Sequence, residues 1–250
     1  MNMYLMDYNA CFRGMKQKIN IKNIGGMNAT VIKIIGLITM TIDHIGYFMF
    51  PSVVGFRIIG RIAYPIFAYM IAEGCKYTRN KIKYFLSVFS VGSICSLVSY
   101  VTERSLYQSI LITFACSIIL IIFLQEVQIN RNSLLKKCIF GLLAILLIAL
   151  YVFLFNINVI PQLETDYGFY GILTPVFIYF GKNKHEKLLA LTIGLFLIAM
   201  DGMPYQIFSL TAVGILAFYN GKRGKHALKY LFYAYYPSHI AIMYGISQMI

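Results

Sequence analysis

Four side chains that can carry charge lie inside the first two apolar stretches of the chain: Asp43 and His44 in the first, Arg57 and Arg61 in the second. A charged Asp or Arg at the centre of a membrane helix costs about 2.5–3.5 kcal/mol on insertion scales, so such residues pair, line a wet cavity or do chemistry. A histidine beside arginines suits acyl transfer, in which the histidine takes a proton from an attacking amine or hydroxyl and an arginine stabilises the oxyanion. The same residue types also suit a proton-coupled transporter.

Helix geometry gives these residues different directions. Arg57 and Arg61 are four residues apart and share one helix face, whereas Asp43 and His44 are neighbours that point about 100° apart. We therefore expect Asp43 to form a buried ion pair with an arginine of the second helix. His44 is then expected to project alone into a cavity, where a side chain with an unperturbed pKa of ~6.5 can transfer protons near neutral pH.

The composition is that of a membrane protein. Of 250 residues, 59% are hydrophobic and 12% are charged, whereas a soluble domain has about 45–50% apolar and about 25% charged residues. The excess is spread along the chain, which predicts an all-α, polytopic transmembrane helix bundle. We divide the chain into a basic cytoplasmic tail, 1–28, and a single membrane domain, 29–250.

The positions of the basic residues predict the topology. Most of the Lys and Arg residues lie in every second loop, and the loops between them hold acidic residues. By the positive-inside rule, this arrangement puts the N-terminus in the cytoplasm and the C-terminus outside. The four polar residues then fall in the outer half of the membrane. Because no basic patch lies on a folded domain, the net charge of +13 does not indicate nucleic-acid binding. About nine spans are predicted, over 31–50, 56–74, 83–101, 108–125, 138–156, 167–181, 187–200, 206–220 and 229–249.

Further polar residues belong to or flank these segments. His239 lies midway along the last segment, two residues after Pro237, where a kink frees backbone carbonyls; it either binds substrate or bonds a neighbouring helix. Asp166 and Tyr167 lie at the outer rim of the sixth segment and form either the mouth of an external site or a turn. Glu73 is expected to pair with Lys76 or Arg79.

No metal site is predicted, because the five cysteines are scattered and form no CxxC pair.

Four stretches of the chain resemble the TraX family, in order from about residue 33 to 245. They are KIIGLITMTIDHIGYFMFP, FRIIGRIAYPIFAYMIAEGCKYTRNKIKY, TDYGFYGIL and KYLFYAYYPSHIAIMY. The family takes its name from a conjugal-transfer protein that N-acetylates pilin, and it resembles the wider group of transmembrane acyltransferases that use acetyl-CoA. In that group a histidine on an early membrane helix is taken as catalytic, and the corresponding residue here is His44.

The resemblance implies acetyl transfer from cytoplasmic acetyl-CoA to an amine or hydroxyl of an extracytoplasmic peptide or glycan, in the bacterial cytoplasmic membrane. Asp43, Arg57 and Arg61 would complete the catalytic group. The acceptor would enter from the outside, past His239, Asp166, Tyr167 and Tyr64. Basic residues of the inner loops would meet the CoA phosphates, namely Arg79, Lys81, Lys83, Lys222, Arg223 and Lys225.

Two other functions stay open, a transporter of a small anionic solute and a non-catalytic subunit of a peptide-export or surface-assembly complex. The acceptor and the oligomeric state also stay open, a dimer included.

Overall fold

The computed structural model describes residues 26–103, 106, 108–129, 133–156, 164–201, 204–224 and 229–249. Within these ranges the regular secondary structure is helical, and two single-residue β-bridges join Met27 to Tyr219 and Gln108 to Thr165. Each of the nine predicted apolar segments falls on helical structure. The helices are α1 (Ala29–Phe48), α2 (Val54–Gly60), α3 (Ala63–Tyr77), α4 (Lys81–Glu103), α5 (Ile110–Ile129), α6 (Leu134–Tyr151), α7 (Gly168–Phe180), α8 (Lys184–Met200), α9 (Thr211–Ala217) and α10 (Lys229–Ser247).

Two shorter helical pieces extend this set. A π-helical turn, Val152–Asn156, continues α6, and a 3-10 helix, Pro204–Leu210, leads into α9.

Polar side chains cap the helices that begin in loops. The Asn28 side chain accepts hydrogen bonds from the backbone N–H groups of Thr30 and Val31 at the start of α1. At the start of α8, Asn183 accepts from the Glu186 N–H group. These contacts satisfy N–H groups that have no partner inside the helix, and they fix where each helix starts.

The second apolar segment is divided where the sequence predicted one helix. α2 ends at Gly60 and α3 begins at Ala63, so Arg61 lies in the turn between them. Pro65 accounts for this break, because a proline has no N–H group for the carbonyl four residues earlier and its ring collides with that carbonyl, here that of Arg61.

The central helix of the bundle is α3. It packs against α1, α5, α7, α8, α9 and the 3-10 helix, and its side chains are buried over most of its length. Buried aliphatic and aromatic residues of α5, α7 and α8 complete the core around it. The turn at Arg61 therefore joins the most buried helix to the start of the polar site.

Charges segregate to the two ends of the bundle. At one end the Glu73 carboxylate pairs with Lys187, Lys81 lies over the Tyr179 ring and Lys184 bonds to the Tyr219 carbonyl at 2.9 Å. We call this end, which holds the start of α1 and the loops after α3, α7 and α9, the basic end. We call the opposite end, which holds the loops after α1, α4, α6 and α8, the acidic end.

The expected pairing of Glu73 with Lys76 or Arg79 was wrong, since packing of α3 on α8 brings Lys187 to it instead.

Length and apolar composition make this a membrane protein. Five described helical stretches are long and apolar enough to cross a bilayer: Ala29–Phe48, Val54–Tyr77, Lys81–Val101, Ile110–Ile129 and Leu134–Phe155. Large apolar side chains stay exposed on their outer faces, as lipid contact requires. The count of nine spans and the cytoplasmic N-terminus remain predictions, and residues 1–25 of the proposed tail lie outside the described residues.

Candidate functional site

Asp43 is held by two arginines. The Asp43 Oδ2 atom lies 3.1 Å from an Arg57 nitrogen, and its Oδ1 atom lies 3.1 Å from Arg61 Nη2. The Arg61 side chain is 8% exposed and the Asp43 side chain 17% exposed, whereas that of Arg57 reaches 29%. The predicted ion pair between the first two segments is therefore present, and it includes both arginines. A guanidinium has five N–H donors, so Arg57 keeps donors that can face the cavity.

Close packing of α1 on α2 makes this ion cluster possible. A Cβ atom at Gly60 would collide with the Asp43 carboxylate, and one at Gly46 would collide with the Phe56 side chain. Glycine at both positions lets the two helices approach closely enough for the carboxylate to meet the guanidinium groups.

Gly60→Ala is expected to lower stability by about 1–3 kcal/mol, since overpacking forces the Asp43 carboxylate away from the arginines. The matched control is Gly55→Ala in the same helix, where an added Cβ meets nothing within 4 Å. Thermal unfolding in detergent compares the two variants. Equal melting temperatures for both would contradict the close packing at Gly60.

His44 contacts a second histidine. Its Nδ1 atom lies 3.0 Å from His239 Nε2, so the expectation that His44 projects alone was wrong. The Nδ1 atom of His239 lies 2.9 Å from the Tyr235 carbonyl, and the Tyr235 ring stacks on the His239 ring with centroids 5.1 Å apart. The Tyr235 hydroxyl bonds Thr41 of α1 at 2.6 Å. α10 is thereby fixed on α1 beside His44.

These bonds decide which nitrogen of each neutral ring carries the proton. A carbonyl can only accept, so His239 Nδ1 donates to the Tyr235 carbonyl and its Nε2 has a lone pair. His44 Nδ1 then donates to that lone pair. This leaves His44 Nε2 without a proton, which is the state that a general base requires.

Tyr64 and Tyr167 form a wall beside Arg61. Their rings stack with centroids 4.0 Å apart, and the Arg61 guanidinium lies over the Tyr167 ring at 5.9 Å. The buried Tyr64 donates its hydroxyl to the Gly171 carbonyl at 3.0 Å. Tyr167 has a left-handed backbone with φ of 62°, a conformation that is strained for a bulky residue and that occurs often at functional sites.

One cavity of about 510 Å³ brings the site together. Its lining contains seven of the predicted residues, Asp43, His44, Arg57, Arg61, Tyr64, Asp166 and Tyr167. It also contains Glu164, Asp201 and Gln206, which were not among the predicted site residues. A volume of about 300–1,000 Å³ is typical of small-molecule sites. His239 stands behind His44 and orients it, so direct contact between His239 and substrate stays a prediction.

The predicted CoA-binding residues lie away from this cavity, at the basic end. Arg79, Lys81 and Lys83 lie at the corner between α3 and α4, and Lys222 and Arg223 follow α9. The Arg223 carbonyl accepts from the Thr30 hydroxyl at the start of α1. Lys225 lies outside the described residues. A role of these cations in binding phosphates stays a prediction.

The ion cluster joins the first two helices, and the histidine pair joins the first helix to the last. The site is therefore built from residues at both ends of the chain. The profile of one protein family, described as TraX protein, matches residues 28–247. The chain belongs to the TraX family. The resemblance found in the sequence is therefore confirmed, and every residue of the cavity lies inside the part that matches TraX.

Two individual proteins are similar to this TraX member. A probable fimbrial assembly protein FimC, serogroup H1, of Dichelobacter nodosus is 26% identical over 243 residues, which cover 86% of this chain and 94% of that protein. An uncharacterized protein RP591 of Rickettsia prowazekii (strain Madrid E) is 49% identical over 39 residues, 16% of each chain. No solved structure matches the chain.

Proposed function

We propose that this TraX protein transfers an acetyl group from acetyl-CoA to an amine or hydroxyl of an acceptor outside the bacterial cytoplasmic membrane. The proposal depends mainly on the unprotonated His44 Nε2 atom, which the bonds from His239 and Tyr235 leave available beside a cavity. There it would take the proton of the acceptor as the acceptor attacks the thioester carbonyl, and it would return that proton to the CoA sulfur as the carbon–sulfur bond breaks and CoA leaves as the thiol.

The ion cluster supplies the second requirement of acyl transfer. Negative charge develops on the carbonyl oxygen in the transition state, and fixed donors that await it lower the barrier. Arg57 is the more exposed of the two arginines and keeps donors beyond those bound to Asp43. We assign it to the oxyanion and Arg61 to holding Asp43 and the Tyr167 wall in place.

The charge distribution supports opposite entry sides for the two substrates. Acetyl-CoA carries phosphates and would approach the basic end, where Arg79, Lys81, Lys83, Lys222 and Arg223 lie. The cavity is lined by residues of the acidic end, including Asp201, where the acceptor would enter. The relative named as a probable fimbrial assembly protein favours a surface-fibre subunit as the acceptor.

The proposal is tested with the purified protein, acetyl-CoA labelled in its acetyl group, and a panel of free-amine peptides and glycans. Acetylation requires one acceptor to gain label while CoA is released in equal amount. Release of CoA without a labelled acceptor would show hydrolysis. Absence of both across the panel, with CoA failing to bind, would favour the transporter or the assembly subunit.

His239→Ala is expected to lower kcat by about 10- to 100-fold with little change in KM, a loss like that seen when the hydrogen-bond partner of a metal-ligating histidine is removed. His239→Gln should recover part of the rate, because its amide oxygen can accept from His44 Nδ1 as the imidazole does. Gly245→Ala in the same helix provides the control, because an added Cβ there meets nothing within 4 Å. Equal losses in the Ala and Gln variants would contradict a positioning role.

A further inference from the structure

The cavity at the acidic end holds more carboxylates than the membrane topology of the chain requires. Four of the nine carboxylates of the chain line this one cavity, Asp43, Glu164, Asp166 and Asp201, although the whole chain has a net charge of +13. Membrane topology depends on the placement of Lys and Arg, and Asp and Glu contribute little to it. The positive-inside rule therefore does not explain why these carboxylates gather here.

Within the described part of the chain, two of these carboxylates lie outside the ion pairs. Asp43 is used by Arg57 and Arg61. The ion pairs recorded among the described residues include neither Glu164 nor Asp201, and both residues are exposed. Hydrogen bonds hold the Glu164 segment in place, because the Glu164 carbonyl accepts from the Gln108 N–H group at 2.7 Å.

Gln206 provides an independent sign of a ligand. Its side chain lines the same cavity and the residue is 5% exposed, yet within the described part of the chain its amide oxygen has no hydrogen-bond partner. A buried acceptor without a donor is costly, and most such groups in proteins are satisfied. A buried acceptor oxygen requires a donor, and a cationic donor would suit both this oxygen and the two carboxylates that line the same cavity.

We infer that the acceptor carries an ammonium or guanidinium group besides the atom that is acylated, and that Glu164, Asp201 and Gln206 bind this group. We call these three residues the cation subsite. The cation cannot be the reacting amine, since an amine must be neutral to attack and nearby carboxylates favour its protonated form. The subsite therefore selects among acceptors by a second, non-reacting charge. That the bound molecule is the acceptor rests on the proposed function, whereas the binding of a cation by these residues does not.

The protein contains no tryptophan, which gives a direct binding assay. Two short peptides that contain one tryptophan differ only in a lysine or its uncharged isostere norleucine. Their indole fluorescence is titrated with the purified protein in the absence of acetyl-CoA. We expect the lysine peptide to bind roughly tenfold more tightly, as hydrogen bonds to a charged group allow.

Variants identify the residues that cause the preference for the lysine peptide. Glu164→Gln combined with Asp201→Asn should remove it, and Gln206→Leu should reduce it. Glu126→Gln, which removes a carboxylate whose charge acts on Lys81 at the basic end, should leave the preference unchanged. Equal binding of the two peptides, binding of neither, or a preference that survives the double variant would overturn the cation subsite. A preference that the double variant removes, in a protein without acetyl transfer, would refute the proposed function alone.

Discussion

His44→Asn is expected to lower the rate of acetyl transfer by about 10²- to 10⁴-fold, the usual contribution of a general base. The asparagine amide can occupy the place of the histidine Nδ1 atom and donate to His239 Nε2, so the contact between α1 and α10 is kept. What is lost is the Nε2 lone pair. The measurement is the initial rate with labelled acetyl-CoA at saturating acceptor.

A control separates chemistry from folding in this variant. His185 is exposed at the start of α8, at the basic end, and His185→Asn should keep the wild-type rate. The melting temperature of His44→Asn should stay close to that of the wild type. A wild-type rate in His44→Asn would exclude His44 as the base.

Asp43→Ala is expected to lower stability by about 3–5 kcal/mol, the cost of leaving a buried charge without its partner. Arg61 would lose its carboxylate within an apolar segment, and Arg57 would lose one of its two contacts with residue 43. Asp43→Asn keeps an acceptor oxygen and should cost less. Unfolding in detergent and the yield of folded protein both report the effect.

A double-mutant cycle tests the cause of this loss. Replacing a buried ion pair by apolar residues of similar volume is often neutral, so Arg61→Met should recover much of the stability that Asp43→Ala loses. Residues in contact show such non-additivity, whereas independent sites add. Additive losses for Asp43→Ala and Arg61→Met would contradict the ion cluster.

Local sequence signals predicted the helices and part of the site. Long apolar runs locate the membrane helices because the backbone must satisfy its own hydrogen bonds in lipid. The four-residue spacing of Arg57 and Arg61 put both on one helix face and predicted that one of them pairs with Asp43, whereas both do so in the structure. The break at Arg61 also has a local signal, Pro65, although one continuous helix was predicted there.

Contacts between distant segments could not be predicted in the same way. His44 and His239 are 195 residues apart, and apolar patterning does not say which helices are neighbours. The same limit explains the wrong partner for Glu73, which pairs with Lys187 of α8 instead of a nearby cation. Gln206 has no sequence signal, because only the burial of its amide oxygen without a donor makes it notable.

Acetyl transfer across a sealed membrane tests whether the protein joins acetyl-CoA on one side to an acceptor on the other through His44. The protein is reconstituted in vesicles with a free-amine acceptor trapped inside and labelled acetyl-CoA added outside only. We expect labelled acceptor inside the vesicles with the wild type, and almost none with His44→Asn. Label that stays entirely outside with the wild type, in vesicles that remain sealed and for an acceptor that the dissolved protein acetylates, would contradict it.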